Sequence, residues 1–175
     1  FDWRKFGYPQ SVTQGYAVDS EKMFDNLMTK FKFGGVDNPE VYLDENIMRM
    51  AGTHRRLFAI LAGQLIKEGK TDKALQALEY CDKMIPGTTV PYDFQNSSLD
   101  LAKSYLSLGK EEQANVIFQA MAEKSLSYVR WYLSMGNASL SSRIQDCIYH
   151  LTLIDDIVTS LNSEKNKPAC ADEYA

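Results

Sequence analysis

The chain has 175 residues, of which 45% are hydrophobic and 24% are charged, a composition that is typical of one folded domain. It excludes intrinsic disorder, a collagen-like repeat and a small disulfide scaffold. Lys and Arg number 19 against 23 Asp and Glu, so the chain lacks the basic balance of a nucleic-acid binder and we expect no nucleic-acid partner.

The main apolar segment is too short to enter a bilayer. The uncharged stretch over residues 57–66 covers half of the roughly 20 residues that a transmembrane helix needs. We therefore expect no direct membrane insertion by this chain. Because the sequence starts at Phe1 and shows no basic and apolar signal segment, we expect it to be a piece of a longer protein.

The first 19 residues predict an aromatic arm that docks on the body of the protein. Aromatic side chains are mixed there with glycine and proline, which is too apolar for a free linker and too interrupted for a regular element. These residues are Phe1, Trp3, Phe6, Gly7, Tyr8, Pro9, Gly15 and Tyr16.

Helical periodicity dominates the rest of the chain. Asp19 or Ser20 supplies a capping oxygen for the first helix, Asp44 with Glu45 opens the second, and the third begins near Thr71. The predicted helices cover residues 20–33, 44–68, 71–85, 96–108, 110–124, 126–135 and 140–162. No stretch alternates as a strand does. The sequence thus predicts an all-α chain of about seven helices, with a single helical domain over 20–163 and a polar tail over 164–175.

An internal repeat with an offset of 40 residues is the strongest pattern in the chain. Its small and large residues resemble tetratricopeptide repeats, in which small side chains let two antiparallel helices approach and large ones fill the groove. The matching pairs are Leu61-Ala62 with Leu101-Ala102, Gly69-Lys70 with Gly109-Lys110, Ala74 with Ala114 and Leu78 with Phe118. The pattern predicts two helical hairpins that turn at Gly69 and Gly109.

The repeat departs from the family pattern in two places. Its offset is 40 residues where the family has about 34, the extra residues lying in the loop 86–91, and Leu126 stands where a closing proline is expected. Because stacked repeats need about three units for a continuous core, we expect the helices 20–33 and 140–162 to act as caps. An irregular helical bundle with a coincidental match is the alternative.

A second resemblance covers roughly residues 1–135. It rests on the run KMFDNLMTKFKFGGVDNPEVYLDENIMRMAGTHRRLFAILAGQLIKEGKTDKAL, which CDKMIPGTTVPYDF follows. These two segments resemble the C-terminal soluble region of a bacterial family of large multi-pass membrane proteins, which is grouped with protein O-mannosyltransferase-like glycosyltransferases. The resemblance implies that a membrane-embedded catalytic part lies upstream, and that this chain is an accessory domain on the extracytoplasmic, periplasmic face.

No motif predicts an enzyme in this fragment. The two histidines, His54 and His150, show no metal-ligand spacing, and nothing pairs a nucleophile with a base. Three cysteines at wide separations favour neither a disulfide framework nor structural zinc. They are Cys81, Cys147 and Cys170. We therefore expect no catalytic residue, no metal and no cofactor.

Each histidine has a structural interpretation. His54 lies on the apolar stripe of the second helix, where a structural hydrogen bond is the alternative to work as a general base. His150 follows Asp146 by four residues, which predicts a surface pair on one helix face.

Recognition surfaces are the remaining candidates. In a repeat solenoid the first helix of each hairpin lines the concave face, which by register predicts a mildly basic, partly apolar groove for a protein or peptide partner. Its candidate residues are Arg56, Ala59, Gly63, Ile66, Asn96, Leu99, Lys103 and Leu106.

Two local clusters rank below this groove. Arg49, Arg55 and Arg56 form a cation cluster, which is either an anion site or a solvated, ion-paired helix face. Arg130, Trp131 and Tyr132 combine a guanidinium with aromatic planes, which suits an interface or sugar stacking. Burial between helices is the alternative for these three.

Together these features predict a non-catalytic helical-repeat accessory domain of a membrane glycosyltransferase-like parent. It would bind a protein partner, contact the upstream membrane portion of its own chain, or position a substrate. One alternative is a domain that itself binds or processes a glycan. A second is a purely structural or self-association module.

Overall fold

The computed structural model describes residues 18–93, 96–135 and 137–162, without the side chains of 137–142. These ranges are helical and contain no strand. The helices are α1 (Ser20–Asp25), α2 (Glu45–Lys67), α3 (Thr71–Met84), α4 (Ser98–Ser107), α5 (Glu111–Ser134) and α6 (Asn137–Leu161). The all-α prediction is confirmed, with six α-helices in the described ranges. The predicted tail 164–175, and the predicted arm up to residue 17, lie outside the described residues.

Local capping sets where the first helices begin. The side chain of Asp19 accepts from the Lys22 amide at 3.0 Å, and Asp44 caps α2 in the same way through the Ile47 amide at 2.8 Å. α1 ends sooner than the sequence predicts, because it passes into a π-helical turn over Asn26–Lys30. The predicted helix 20–33 is therefore one short α-helix followed by a wider turn.

The turns at the two predicted hairpins are built alike. Gly69 and Gly109 both have positive φ, at 74° and 70°, which glycine adopts without steric cost. In each turn the amide of the glycine and the amide of the next residue donate hydrogen bonds to the preceding helix, as in a Schellman motif. These bonds are Gly69 N to Ile66 O (3.0 Å), Lys70 N to Leu65 O (2.9 Å), Gly109 N to Leu106 O (2.9 Å) and Lys110 N to Tyr105 O (2.9 Å). The 40-residue offset thus holds in backbone geometry.

Small residues lie at the centre of the packing between helices. α2 packs against α3, α4 against α5, and α2 against α4, so that two hairpins stand side by side. The four repeat alanines, Ala62, Ala74, Ala102 and Ala114, are fully buried, as the close approach of neighbouring helices requires. Large apolar side chains fill the core around them. They include Phe58, Leu61, Leu65, Leu78, Leu101, Tyr105 and Phe118.

The predicted helices 110–124 and 126–135 are wrong as separate elements. α5 is a single helix over Glu111–Ser134, because Leu126 stands where a proline would have ended it and offers no break in the hydrogen-bond ladder. The predicted start of the last helix at 140 also moves, to Asn137. α6 packs along α5.

A buried guanidinium holds the connection between the two hairpins against α2. Arg55 is fully buried and donates to the backbone carbonyls of Ile85 (2.9 Å), Val90 (2.6 Å) and Pro91 (3.2 Å). The ring of Tyr92 lies 4.7 Å from the guanidinium carbon, a cation–π distance. These contacts fix the course of the chain after α3, over residues 85–92.

A hydroxyl–carboxylate contact then joins α3 to α4. Tyr105 donates to a carboxylate oxygen of Asp82 at 2.5 Å, and the Tyr92 hydroxyl lies 3.5 Å from the other oxygen. Burial raises the pKa of Asp82 above its ordinary value, and the two hydroxyl donors oppose that shift only in part. Asp82 therefore belongs to the interior packing of the hairpins.

Candidate functional site

A groove runs along α2, between the chain at Val18 and helix α4. Its main part is a cleft of about 510 Å³, and a second depression of about 460 Å³ adjoins it and shares Val18 and Ile60 with it. The main cleft is lined by Val18, Ala59, Ile60, Gly63, Gln64, Ile66, Lys67, Asp100, Lys103, Ser104 and Ser107. The depression is lined by Val18, Asp19, Met23, Thr53, Arg56, Leu57 and Ile60. We call these two together the α2/α4 groove.

Half of the six main partner-binding candidates lie in this groove. Arg56, Ile66 and Lys103 line it. Leu99 and Leu106 do not, because both are buried in the core, and the prediction that they face a partner is wrong. α4 packs against α2, α3 and α5, so three neighbours cover most of its circumference. The repeat register assigns one broad outer face to α4 and gives no sign of these three neighbours.

Asn96 is also misplaced by the sequence prediction. Its side chain is buried and organises the connection that leads into α4. The Asn96 amide group donates to Pro91 O at 3.2 Å, and its carbonyl oxygen accepts from the Asp93 amide at 3.2 Å and from the Ser98 hydroxyl at 2.5 Å. Asn96 therefore satisfies buried polar groups of the backbone and has no position on the groove.

Gly63 leaves the floor of the groove open. A Cβ built at this position would meet no atom within 4 Å, so the missing side chain exposes helix backbone to whatever enters. Ile60 and Ile66 provide apolar surface on either side, while Lys67 and Lys103 are exposed. The groove can accept an apolar chain at close range and an acidic group nearby.

The three arginines of the predicted cation cluster are separated. Arg56 is exposed in the groove, Arg49 is exposed and donates to Asn46 at 3.0 Å, and Arg55 points inward. Adjacent positions on a helix lie about 100° apart, so Arg55 and Arg56 point in different directions although they are neighbours in sequence. Neither interpretation of the cluster describes Arg55, which is neither solvated nor an anion site.

His54 takes part in aromatic packing. Its ring lies edge-on to Phe31, with ring centroids 5.6 Å apart, and edge-on to Phe33 at 5.7 Å. These contacts hold the segment after the π-helical turn against α2. They favour the structural interpretation of His54, through ring contacts rather than the predicted hydrogen bond.

A second cleft, of about 320 Å³, lies between α5 and α6, and we call it the α5/α6 cleft. Buried side chains of Met121, Ser125 and Leu153 form its floor. The full lining is Tyr92, Asp93, Met121, Lys124, Ser125, Tyr128, Tyr132, Asp146, Tyr149, His150 and Leu153. Four tyrosines and one histidine thus share one small cleft.

His150 and Tyr128 form the centre of the α5/α6 cleft. Their rings stack nearly parallel, 4.5 Å apart and 13° inclined. The histidine Nδ1 lies 3.5 Å from the Ser125 hydroxyl, at the limit of a hydrogen bond. Burial lowers the pKa of His150 below its ordinary value of 6.5, against the opposing charges of Asp93 and Asp146, which favours the neutral ring. Asp146 lies near enough to His150 to act on its charge, and His150 also contacts α5 through Tyr128 and Ser125.

Opposite charges around this cleft are matched. Lys124 forms an ion pair with Asp93, and Asp146 lies 3.6 Å from Arg143. With His150 neutral, the lining offers hydroxyls, a neutral imidazole and ring faces together with charges that already have partners. The formal charges of these groups sum to zero only when Arg143, which lies outside the lining, is counted with Asp93, Lys124 and Asp146.

The predicted Arg130, Trp131 and Tyr132 cluster divides between two environments. Tyr132 is buried and lines the α5/α6 cleft, while Arg130 and Trp131 are exposed. The Trp131 ring still lies 4.9 Å from that of Tyr132. Tyr128 and Tyr149 were not among the predicted site residues, although the spacing of Tyr128 and Tyr132 by four residues places both on one helix face.

Comparison with known proteins returned no match to a family model, to a curated protein or to a solved structure. The tetratricopeptide and glycosyltransferase-like resemblances therefore stay predictions. None of the helices in the described ranges combines the length and apolar content that spanning a bilayer demands. Within the same ranges, no group of three or more His, Cys, Asp or Glu residues is placed to hold a metal ion.

Proposed function

We propose that this chain is a non-catalytic interaction domain that binds an extended segment of a partner protein in the α2/α4 groove. The observation that carries the proposal is the groove itself, which is continuous along α2 and open at Gly63. Helical hairpins that stand side by side present such surfaces to extended ligands in repeat proteins. Main-chain access at a glycine lets a bound peptide lie close to the helix.

The groove also indicates the chemistry of the segment. Ile60, Ile66 and Leu57 favour apolar side chains. Arg56, Lys67 and Lys103 outnumber Asp19 and Asp100 along the lining, which favours a segment with acidic residues near its apolar anchors. Charge of this kind mainly speeds association and orients the ligand.

We place this activity in the context that the second resemblance implies. The chain would be an accessory domain of a membrane glycosyltransferase-like protein, on the extracytoplasmic face, where it captures a protein partner or positions an acceptor substrate. The resemblance of residues 1–135 supports this context, and the transferase chemistry would belong to the parent's upstream membrane portion.

The test is peptide selection followed by titration. Peptides selected from a phage-displayed random library against residues 1–175 should share an apolar core with acidic flanks. Gly63→Phe should lower the affinity for a selected peptide by more than about tenfold, or about 1.4 kcal/mol, because the new ring fills the groove. Arg56→Glu and Lys103→Glu should each weaken peptide binding, and the loss of affinity should be larger at low salt than at high salt.

Gly63→Ala is the matched control, because its methyl group meets nothing within 4 Å and leaves most of the groove open. It should retain binding within about threefold, under 1 kcal/mol. Calorimetric titration measures affinity, and circular dichroism checks that each variant is folded. Unchanged binding to folded Gly63→Phe would show that the peptide lies elsewhere.

A further inference from the structure

The α5/α6 cleft has the size and floor of a small-molecule site. Its volume of about 320 Å³ lies at the lower end of the range of about 300–1,000 Å³ that ligand pockets occupy. The floor is closed by side chains that are almost fully buried, Met121, Ser125 and Leu153. A ligand of one ring, rather than a peptide or a cofactor of several rings, matches this volume.

The walls combine ring faces with hydroxyl groups. Tyr128 and Tyr149 line the cleft and are 39% and 40% exposed, and Tyr132 lines it from a buried position. A tyrosine offers an apolar face and a hydroxyl that both donates and accepts. A sugar ring is complementary to that pair, because it carries apolar C–H faces and a rim of hydroxyls.

The ion pairs around the cleft favour a neutral ligand over an ionised one. Lys124 is paired with Asp93, and Asp146 faces Arg143 at 3.6 Å. An anion or a cation entering the cleft would have to compete with these pairs while losing its own hydration. A hydroxyl needs no counter-charge and can bond to tyrosine, imidazole or carboxylate groups alike.

We propose that the α5/α6 cleft is a binding site for a neutral polyhydroxylated ring, a single sugar residue, which stacks on the Tyr128 and Tyr149 side of the cleft. His150 stacks on Tyr128 at 4.5 Å and holds that ring in place. This site is separate from the α2/α4 groove, and the proposal for it does not depend on the proposed peptide function.

The experiment uses the whole chain and a panel of methyl glycosides of glucose, galactose, mannose and N-acetylglucosamine. Saturation-transfer NMR should detect at least one glycoside, and amide shift changes should concentrate in residues 121–132 and 146–153. Tyr128→Ala should reduce the affinity by at least about tenfold, whereas Tyr128→Phe should retain most of it. Tyr42→Ala is the matched control, because Tyr42 is 87% exposed and lies outside the cleft lining.

Several results would overturn the proposal. One is the absence of glycoside binding at millimolar concentration. Another is binding that Tyr128→Ala and Tyr42→Ala affect equally, and a third is amide shift changes confined to α2 and α4. Binding of choline or inorganic phosphate to the α5/α6 cleft in place of every glycoside would also reject a neutral ligand. Gly63→Phe should leave glycoside binding unchanged, which separates this test from that of the peptide groove.

Discussion

Gly87 shows how a single missing side chain shapes the connection between the hairpins. A Cβ at this position would lie 2.3 Å from Cε2 of Tyr92, closer than any van der Waals contact permits. Tyr92 cannot move freely, because its ring packs on the guanidinium of Arg55 at 4.7 Å. We expect Gly87→Ala to lower the free energy of unfolding by about 1–3 kcal/mol, measured by urea unfolding.

The same substitution at Gly63 provides the comparison. Gly63 lies inside α2 with open space at its Cβ position, so Gly63→Ala should stabilise the protein by about 0.5–1 kcal/mol through helix propensity. Opposite signs at the two positions are the expected result. Equal effects would show that the contact between position 87 and Tyr92 carries no energetic weight.

The limits of sequence reasoning are clearest at Arg55 and Asn96. Both were candidate surface residues, and both are buried because their partners are backbone groups of the connection over residues 85–93. That connection carries no periodicity, so its path over α2 leaves no signal in the sequence. Glycine turns, in contrast, were predictable, since Gly69 and Gly109 mark positions where φ must be positive.

At the scale of elements, a network of charges attaches α1 to the turn between α2 and α3. Lys70 lies 2.8 Å from Glu68 and 2.7 Å from Glu21, and Ser20 donates to Glu68 at 2.6 Å. Lys70 is the main cause that lowers the pKa of Glu68 to about 2, with Ser20 and Gln64 adding to it. The pKa of Glu21 is lowered by the same lysine, helped by Lys73.

These shifts predict an acid-sensitive attachment. A carboxyl whose pKa is lower in the folded state stabilises above its ordinary value, 4.5 for Glu68, and that contribution is lost as pH falls toward about 2. We expect α1 to loosen over this interval, seen as lower protection of the amides of residues 20–25 relative to their intrinsic exchange rate at each pH. Glu68→Gln should already show the lower protection at pH 7, and α1 amides that stay equally protected at pH 2 would contradict the prediction.

Helix existence was easier to predict than helix boundaries. The capped starts at Asp19 and Asp44 were predicted and found, because a capping side chain is local in sequence. The continuity of α5 was not, since it depends on the absence of a break at Leu126 rather than on a positive signal. The π-helical turn at Asn26–Lys30 likewise has no residue pattern that announces it.

At the scale of the whole molecule, the apolar interior consists of two clusters of unequal size. The main core extends from Leu27 to Leu161 and includes residues of α2 to α5. A smaller cluster joins the C-terminal half of α5 to α6 through Val129, Tyr132 and Cys147. Local stability follows the number of buried apolar contacts, so the two regions should differ in stability.

Hydrogen exchange can measure this difference. Amides of residues 126–150 should exchange through openings of lower free energy than amides of α2 and α4, by at least about 1 kcal/mol within the span of subglobal openings. Native-state exchange in increasing denaturant resolves the two sets. A single exchange free energy for all slow amides would show that both clusters open together.

The global arrangement was predictable where small residues fixed it. The burial of the four repeat alanines confirms the expected close packing of the hairpins. The outer face of α6 is a different case, because Ile144, Ile148 and Leu151 are exposed although terminal repeats usually present polar surfaces. α6 is apolar on both sides, so its pattern alone could not tell which side would pack on α5.

The buried guanidinium of Arg55 on α2 determines where the chain can be divided for study. Its carbonyl acceptors follow the last residue of α3, so the first hairpin holds a cation whose ligands lie beyond its own end. A fragment truncated at Met84 would leave Arg55 without its three carbonyl acceptors and without the Tyr92 ring that packs on it. Fragment boundaries must therefore keep the inter-hairpin segment, through Tyr92, attached to the hairpin that precedes it.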